Sequence, residues 1–234
     1  MNSPKQLLFP FQVDRRASFD NFFTTPKNSV LLDRLREIIQ SKTPHEVLID
    51  GLKGSGKSFL IQSICNEYSQ LQNQLAFVPM SKALDMGVEV LHNLASLDVV
   101  CIDDLQLISA NREWEIAVFN LINECQQSGC SLIFSIGSDL TLNNLIELPD
   151  LLSRIKRMEN MTLSPIIDND LLDALVFISK QLDINLEDAE LEFLLKNHVR
   201  DLSILVQSLV LLDQRGGELK RKITIPFIKE ILNL

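Results

Sequence analysis

The strongest constraint on the fold of this chain is a glycine-rich segment between an apolar run and an apolar-periodic one. The run Val47-Leu48-Ile49-Asp50 leads directly into Gly51-Leu52-Lys53-Gly54-Ser55-Gly56-Lys57-Ser58, and apolar residues recur from Phe59 to Cys65 at helical spacing. Strand, loop and helix in this order are the context that a G-x-x-x-x-G-K-[ST] motif requires. The pattern predicts a phosphate-binding loop within an α/β fold.

The residue types of this loop suit a nucleotide phosphate. Glycines let successive backbone N–H groups turn toward an anion, and the start of the following helix adds its positive dipole end. Lys57 is expected to reach the β- and γ-phosphates, and the Ser58 hydroxyl to ligate Mg²⁺. Three of the eight glycines lie between positions 51 and 56, which argues against a chance match on a surface loop. The predicted nucleotide-binding residues are Gly51, Gly54, Ser55, Gly56, Lys57 and Ser58.

Further apolar runs alternate with helix-like segments up to residue 164. Besides the strand before the glycine-rich loop, we expect strands over 75–80, 99–102, 131–136 and 158–163, and helices over 28–40, 88–94, 114–125 and 151–157. Pro79 indicates that the second strand lies near an edge of the sheet. This alternation is typical of a parallel sheet covered by helices on both faces, which binds ligands at the carboxyl ends of its strands.

Polar side chains follow two of the later strands at the point where each ends. Asp103 and Asp104 follow the third strand, and Ser138 and Asp139 follow the fourth. We expect Asp103 to organise Mg²⁺ and Asp104 to polarise a water for attack on the γ-phosphate, although Asp104 reaches one methylene less far than a glutamate. Ser138 and Asp139 are candidates for positioning that water, and an ordinary turn is the alternative.

After Ser164-Pro165 the strand pattern stops. Helices are expected over 171–182, 186–197, 202–212 and 225–232, with breaks at Gly216-Gly217 and Pro226. The predicted organisation is an N-terminal tail over residues 1–18, an α/β base domain over 19–164, and a small helical domain over 165–234 that folds over the nucleotide crevice.

Composition excludes several function classes. The net charge of −9 argues against a large surface for nucleic-acid phosphates, and no apolar run approaches the ~20 residues of a membrane span. The four cysteines lack C-x-x-C spacing, so we expect thiols in a reducing compartment, three of them in apolar core stretches.

The N-terminal tail contains Gln6-Leu7-Leu8-Phe9-Pro10-Phe11 and does not have the pattern of a core segment. A proline with large apolar neighbours near a terminus suits an extended peptide that docks into a groove on another protein. The alternative is a tail that folds back onto its own domain, and the residues alone do not decide between the two.

Taken together, these motifs resemble those of the AAA+ family, in the branch of the bacterial replication initiator DnaA. The resemblance implies a five-stranded parallel sheet between helices, followed by a small helical lid domain. Its segments are an adenine-side box at Phe19-Asp20-Asn21-Phe22, Walker A at 51–58, Walker B at 99–106, sensor 1 at Ser138 and Asp139, an arginine-finger segment at Ser153-Arg154, and a sensor 2 helix at Val199-Arg200-Asp201-Leu202.

The tail resembles a sliding-clamp-binding peptide, and no separate DNA-binding domain is expected after the lid. This combination resembles the regulatory inactivators of DnaA. The resemblance implies a cytoplasmic, replisome-associated protein that binds the DNA polymerase III β clamp and promotes hydrolysis of DnaA-bound ATP through Arg154, without sequence-specific DNA binding. Arg200 would join the phosphate loop in holding ADP or ATP, with Mg²⁺ at Ser58 and Asp103. The implied clamp-binding residues are Gln6, Leu7, Leu8, Phe9, Pro10 and Phe11.

One departure from that family leaves an alternative open. The inactivators tend to have weakened Walker motifs, whereas this chain has complete ones. A self-sufficient AAA+ ATPase, acting as a motor or loader in replication, is therefore the second hypothesis, and a DNA-binding initiator fragment is the third. Self-association is not decided by the sequence.

Overall fold

A five-stranded parallel sheet forms the centre of the first part of the chain. The computed structural model describes residues 11–137, 141–167 and 170–234. Within them the sheet has the order β2-β3-β4-β1-β5, and each pair of neighbouring strands is parallel. The edge position of β2, which ends at Pro79, confirms the prediction. The strands are β1 (Glu46–Gly51), β2 (Leu75–Pro79), β3 (Val99–Asp103), β4 (Ser131–Gly137) and β5 (Glu159–Thr162).

The α-helices of the described residues lie before, between and after these strands. They are α1 (Pro26–Gln40), α2 (Lys57–Gln70), α3 (Met80–Ala83), α4 (Arg112–Ser128), α5 (Leu142–Leu145), α6 (Pro149–Ile155), α7 (Leu171–Gln181), α8 (Asp188–Asn197), α9 (Leu202–Leu219) and α10 (Ile225–Leu232). None of the helices in this part of the chain is both long and apolar enough to cross a bilayer.

Alternation along the strands separates two apolar layers. Leu48, Val100 and Phe134 face one layer, which α4 and α6 cover, while Ile49 and Cys101 face the other, which α1 and α2 cover. Successive residues of a strand point to opposite faces, so buried strands need apolar residues at every position. The predicted parallel sheet with helices on both faces is confirmed, and the four cysteines are buried thiols.

The predicted helix over 88–94 is wrong. Two 3₁₀ turns occupy this region instead, over Val88–Leu91 and Leu94–Ser96. Gly87 and Asn93 have positive φ angles of 87° and 63°, which an α-helix cannot include. The chain therefore turns twice where the apolar periodicity indicates one continuous helix.

The C-terminal helical region packs around a cluster of its own. Leu175, Leu194, Leu209 and Phe227 are among its buried members. The predicted break at Gly216-Gly217 is wrong, because α9 continues to Leu219. A Cβ on Gly216 would lie 3.1 Å from the backbone oxygen of Arg221, so glycine at this position lets the returning chain pass close to the helix.

The described part of the predicted tail is not separate from the core. Ala17 is 1% exposed, and Phe11 packs against both apolar layers. Helix α2 holds the backbone here, since the Asn66 side-chain amide donates to the carbonyl oxygens of Asp14 at 2.9 Å and Ala17 at 2.7 Å. The expectation that the tail lies outside the core is thus wrong for residues 11–18. The other predicted clamp-binding residues, 6–10, lie outside the described part of the chain.

Candidate functional site

The glycine-rich loop connects β1 to α2 as the motif predicts. Lys57 is the first residue of α2 and is only 7% exposed, and its Nζ donates to the backbone oxygens of Gly51 at 2.7 Å and Leu52 at 2.9 Å. Its ammonium group therefore lies inside the curve of the loop. The Ser55 hydroxyl oxygen is also buried in this loop and has no hydrogen-bond partner among the described residues.

Asp103 lies next to this loop at the end of β3. Its carboxyl group is nearly buried, at 4% exposure, and it accepts a hydrogen bond from the Ser135 hydroxyl, while the Ser58 hydroxyl lies near enough to lower its pKa. Burial raises the pKa of Asp103, and the charge of Asp104 raises it further. The two hydroxyls and the Lys57 charge act in the opposite direction on this pKa. The structure thus brings Asp103, at the end of β3, next to Lys57 and Ser58 at the start of α2.

Gln106 connects Asp104 to the strand beside it. Its side-chain amide donates to Asp104 Oδ1 at 2.8 Å, and its side-chain oxygen accepts from the backbone N–H of Gly137 at 2.8 Å. Asp104 itself has a left-handed φ of 59°, and its N–H donates to Ser135 Oγ at 2.9 Å. Gln106 belongs to the Walker B segment, but nothing in its spacing assigned it this bridging role.

The predicted sensor 1 residues, Ser138 and Asp139, lie outside the described residues. Gly137, which directly precedes them, lines the same cavity as Asp104 and Gln106. The convergence of Asp103 and Asp104 on the phosphate loop is therefore observed, and that of Ser138 and Asp139 stays a prediction.

A cavity of about 810 Å³ opens beside the phosphate loop. Residues 21–23, which include the end of the adenine-side box, form one side of it, and the C-terminal helical region forms another. The residues on this second side include Ile178, Leu182, Ser203, Val206 and Val210. A polar end at the loop and an apolar end between Phe22 and α9 suit a ligand that carries both phosphates and a flat base.

The start of α9 approaches the phosphate loop closely. Asp201 caps this helix, since its Oδ1 accepts the N–H of Ile204 at 3.1 Å. Its other oxygen lies 2.9 Å from the position that a Cβ on Gly54 would occupy, and Gly54 has a φ of +79°. Arg200 precedes this cap and is exposed; it is not among the residues that line the cavity. Glycine at position 54 is thus required both by the backbone angle and by the neighbouring carboxylate.

Arg154 lies on α6 and not in the cavity. It is partly exposed, and its Nη1 donates to the side-chain oxygen of Gln126 on α4 at 3.0 Å. The residues that line the cavity do not include it. The structure therefore separates Arg154 from the phosphate loop of its own chain.

The residues present fit a magnesium nucleotide. The ammonium of Lys57, the unpartnered Ser55 hydroxyl and the curved loop form a cradle for phosphate oxygens. Mg²⁺ typically takes one or two protein oxygens together with phosphates and waters, and Ser58 with Asp103 supplies such a pair. Among the described residues no cluster of three metal-binding side chains forms a separate site.

Comparison with known proteins identifies the family. The family model of the bacterial DnaA ATPase domain matches residues 13–161, and the model of the Hda lid domain matches residues 168–232. The chain belongs to the DnaA-related AAA+ proteins. An uncharacterized protein of Haemophilus influenzae is 37% identical over 231 residues, which are 98% of this chain and 99% of that protein.

Solved DnaA structures share the fold. Domain III of DnaA from Thermotoga maritima has a TM-score of 0.82 at 20% identity and covers 95% of this chain and 98% of its own. AMPPCP-bound DnaA from Aquifex aeolicus has a TM-score of 0.66 at 20% identity, covering 90% of this chain and 69% of its own. These findings confirm the predicted AAA+ sheet followed by a helical lid, and residues 171–232 are called the lid below.

Proposed function

We propose that this protein inactivates the initiator DnaA by inserting Arg154 into the ATP site of a neighbouring DnaA molecule. The observation that carries the proposal is the position of Arg154 on a surface helix outside the cavity of its own chain. An arginine supplied in trans neutralises the charge that develops during phosphoryl transfer, and is worth about 10³–10⁵ in rate in known cases. The product is ADP-bound, inactive DnaA.

The present partner of Arg154 is consistent with this role. Gln126 is a neutral amide on an exposed part of α4. A phosphate can replace a neutral side-chain hydrogen bond without separating an ion pair, and arginine binds phosphate oxygens in a bidentate way. Arg154 is therefore held in place in the free protein and is able to exchange its partner on binding.

In this proposal the chain's own cavity binds ADP or ATP and stabilises the fold. Lys57 and the loop N–H groups would bind the phosphates, Arg200 would approach them from the lid, and Ser58 with Asp103 would hold Mg²⁺. A nucleotide in this cavity would place opposite charge near Lys57, and residues of both the loop and α9 would contact it.

We further propose that the tail binds the β sliding clamp through Gln6, Leu7, Leu8, Phe9, Pro10 and Phe11. When a weak peptide contact is linked to a second weak contact, the effective concentration for the second contact rises to about millimolar for short linkers. Inactivation of DnaA would then depend on clamps that are already loaded on DNA. Since Phe11 packs against the protein's own core, clamp binding through this residue would require it to leave that position.

A self-sufficient ATPase is the second candidate. The closeness of Lys57, Ser58 and Asp103 favours it, because these residue types fit a phosphate and a magnesium ion. The engagement of Asp104 by Gln106 counts against it, since this carboxylate is occupied by an amide. ATP turnover by the protein alone, abolished by Lys57→Ala, would support this candidate.

The deciding experiment is single-turnover hydrolysis of ATP by DnaA in the presence of clamp-loaded DNA. We expect Arg154→Ala to lower the stimulated rate by about 10³-fold or to the unstimulated level. Arg157→Ala is the matched control, because Arg157 is an exposed arginine that follows α6. Equal stimulation by the parent and by Arg154→Ala would refute the proposal. Unchanged clamp-dependent stimulation by Gln6→Ala combined with Phe9→Ala would refute the role of the tail.

A further inference from the structure

Glu115 is a fully buried carboxylate on α4, at 0% exposure, that lies outside the nucleotide cavity. One of its oxygens accepts the backbone N–H of Glu147 at 3.0 Å, and the other accepts the N–H of Leu148 at 2.6 Å. Burying a carboxylate is costly unless both oxygens find donors. A glutamate at a core position of an amphipathic helix thus has a specific task, which is to hold this stretch of backbone.

The two N–H groups belong to the residues that lead into α6. Leu148 is the N-cap residue of α6, and its own side chain provides no capping hydrogen bond. Pro149 follows as the first helical residue, with a fixed φ angle and no N–H of its own. The carboxylate of Glu115 therefore holds the backbone where α6 starts, and Pro149 restricts the backbone conformation of the first turn.

Arg154 is carried by the same short helix. Arg154 is the sixth residue after Leu148, which places it about 9 Å further along a helix axis. Leu151 and Ile155 are buried in the apolar layer beneath, so α6 is fixed along its inner side as well. Because the helix is rigid over this length, a shift at its start is transmitted to the guanidinium group.

The two ends of α6 contact α4 in different ways. The start is held by the buried carboxylate of Glu115, while Arg154 contacts Gln126 through an exposed side-chain hydrogen bond. The first contact is shielded from water and resists exchange, whereas the second can open to admit a phosphate. The start of α6 is therefore fixed on α4, while Arg154 near its end can exchange its hydrogen bond for one to a phosphate.

We propose that Glu115 is a positioning residue for Arg154: it anchors the start of α6 to α4, so that the arginine is presented to the partner's nucleotide at a fixed place. The inference rests on the proposed function, in which Arg154 acts in trans. It assigns a role to a side chain that does not touch the nucleotide of either molecule.

The test compares Glu115→Gln with Glu113→Gln in the single-turnover DnaA assay. Glu113 lies on the same helix and is exposed, so its variant makes the same change of charge without touching α6. A misplacement of about 1 Å costs up to about 10²-fold in rate. We expect Glu115→Gln to lower the maximal stimulated rate by about 10- to 100-fold at saturating protein, with ADP affinity and clamp binding equal to those of the parent, while Glu113→Gln behaves as the parent.

One further measurement separates positioning from general loss of structure. Amide hydrogen exchange should become faster in residues 147–155 of Glu115→Gln and stay unchanged in α2. If Glu115→Gln does not fold, Glu115→Asp provides the same test, since its carboxylate is one methylene short of α6.

The outcomes distinguish this inference from the proposed function. If Arg154→Ala stimulates DnaA as the parent does, the proposed function fails and the inference fails with it. If Arg154→Ala abolishes stimulation but folded Glu115→Gln retains it, the proposed function stands and the positioning role is wrong. A parallel loss of ADP affinity or of clamp binding in Glu115→Gln would also overturn the positioning role.

Discussion

Replacing Gly54 by alanine tests whether the contact between the phosphate loop and the lid contributes to stability and nucleotide binding. Gly54 has a φ of +79°, and a Cβ at this position would lie 2.9 Å and 3.2 Å from the two carboxylate oxygens of Asp201. Gly54→Ala should therefore strain the loop backbone and also push away the residue that caps α9. Both effects destabilise the contact between the phosphate loop and the start of α9.

The two contributions can be measured separately because the chain offers a matched glycine. Gly129 also has a φ of +79°, and nothing lies within 4 Å of the position of its Cβ. Gly129→Ala should cost only the backbone strain, about 1–2 kcal/mol. Gly54→Ala should cost about 1 kcal/mol more, since a displaced Asp201 loses its bond to the N–H of Ile204.

Thermal unfolding and ADP titration provide the measurements. At about 3 °C per kcal/mol for a chain of this size, we expect melting temperatures to fall by about 5 °C for Gly129→Ala and about 8 °C for Gly54→Ala. Only Gly54→Ala should weaken ADP binding, because Gly54 lines the cavity and Gly129 does not.

A double-mutant cycle checks the cause. Asp201→Ser keeps a capping oxygen on a shorter side chain, and it should recover about 1 kcal/mol in the Gly54→Ala background. Equal effects of Gly54→Ala and Gly129→Ala on both melting temperature and ADP affinity would refute the argument that the lid contact matters.

Two other predictions concern the magnesium carboxylate and the lid core. Burial raises the pKa of Asp103 in the folded protein, so the free energy of unfolding falls as pH rises from the ordinary aspartate range through the raised pKa. Asp103→Asn should remove this pH dependence and, without nucleotide, should melt at a higher temperature than the parent at neutral pH. The same variant should bind magnesium nucleotide more weakly. A lower melting temperature of Asp103→Asn at neutral pH would contradict this. Phe227→Ala removes a fully buried ring and leaves a cavity in its place, which should cost about 3–5 kcal/mol in denaturant unfolding. Because α9 lines the nucleotide cavity, ADP binding should weaken in parallel. A destabilised variant with unchanged ADP binding would contradict this coupling.

Features that depend on neighbouring residues were predictable from the sequence. The strand before Gly51, the loop and the helix from Lys57 follow from apolar periodicity and glycine spacing, which act over a few residues. The parallel sheet follows from the alternation of such units. The placement of Asp103 beside Lys57 follows in turn, because carboxyl ends of parallel strands meet at one edge.

Features that depend on packing between distant segments were not predictable in this way. The failed helix over 88–94 and the continuous helix through Gly216 both show local signals overridden by the path of the chain. Phe11 belongs to a segment with the composition of a docking peptide, but its contact with the core depends on α2 and the sheet. The apolar area that a segment buries against distant parts of the chain determines its conformation and position, and the periodicity of its own residues does not contain that information.

The sequence by itself predicted a phosphate-binding loop between a strand and a helix of an α/β sheet, since the motif and the segments beside it are local in the chain. Only the tertiary structure decided that Gln106 joins Asp104 to Gly137, that Asp201 contacts Gly54, and that Glu115 holds the start of α6. The physical reason is that each of these is a polar contact closed between separate elements. Its energy depends on where folding places a donor and an acceptor, and neither residue type carries that information alone.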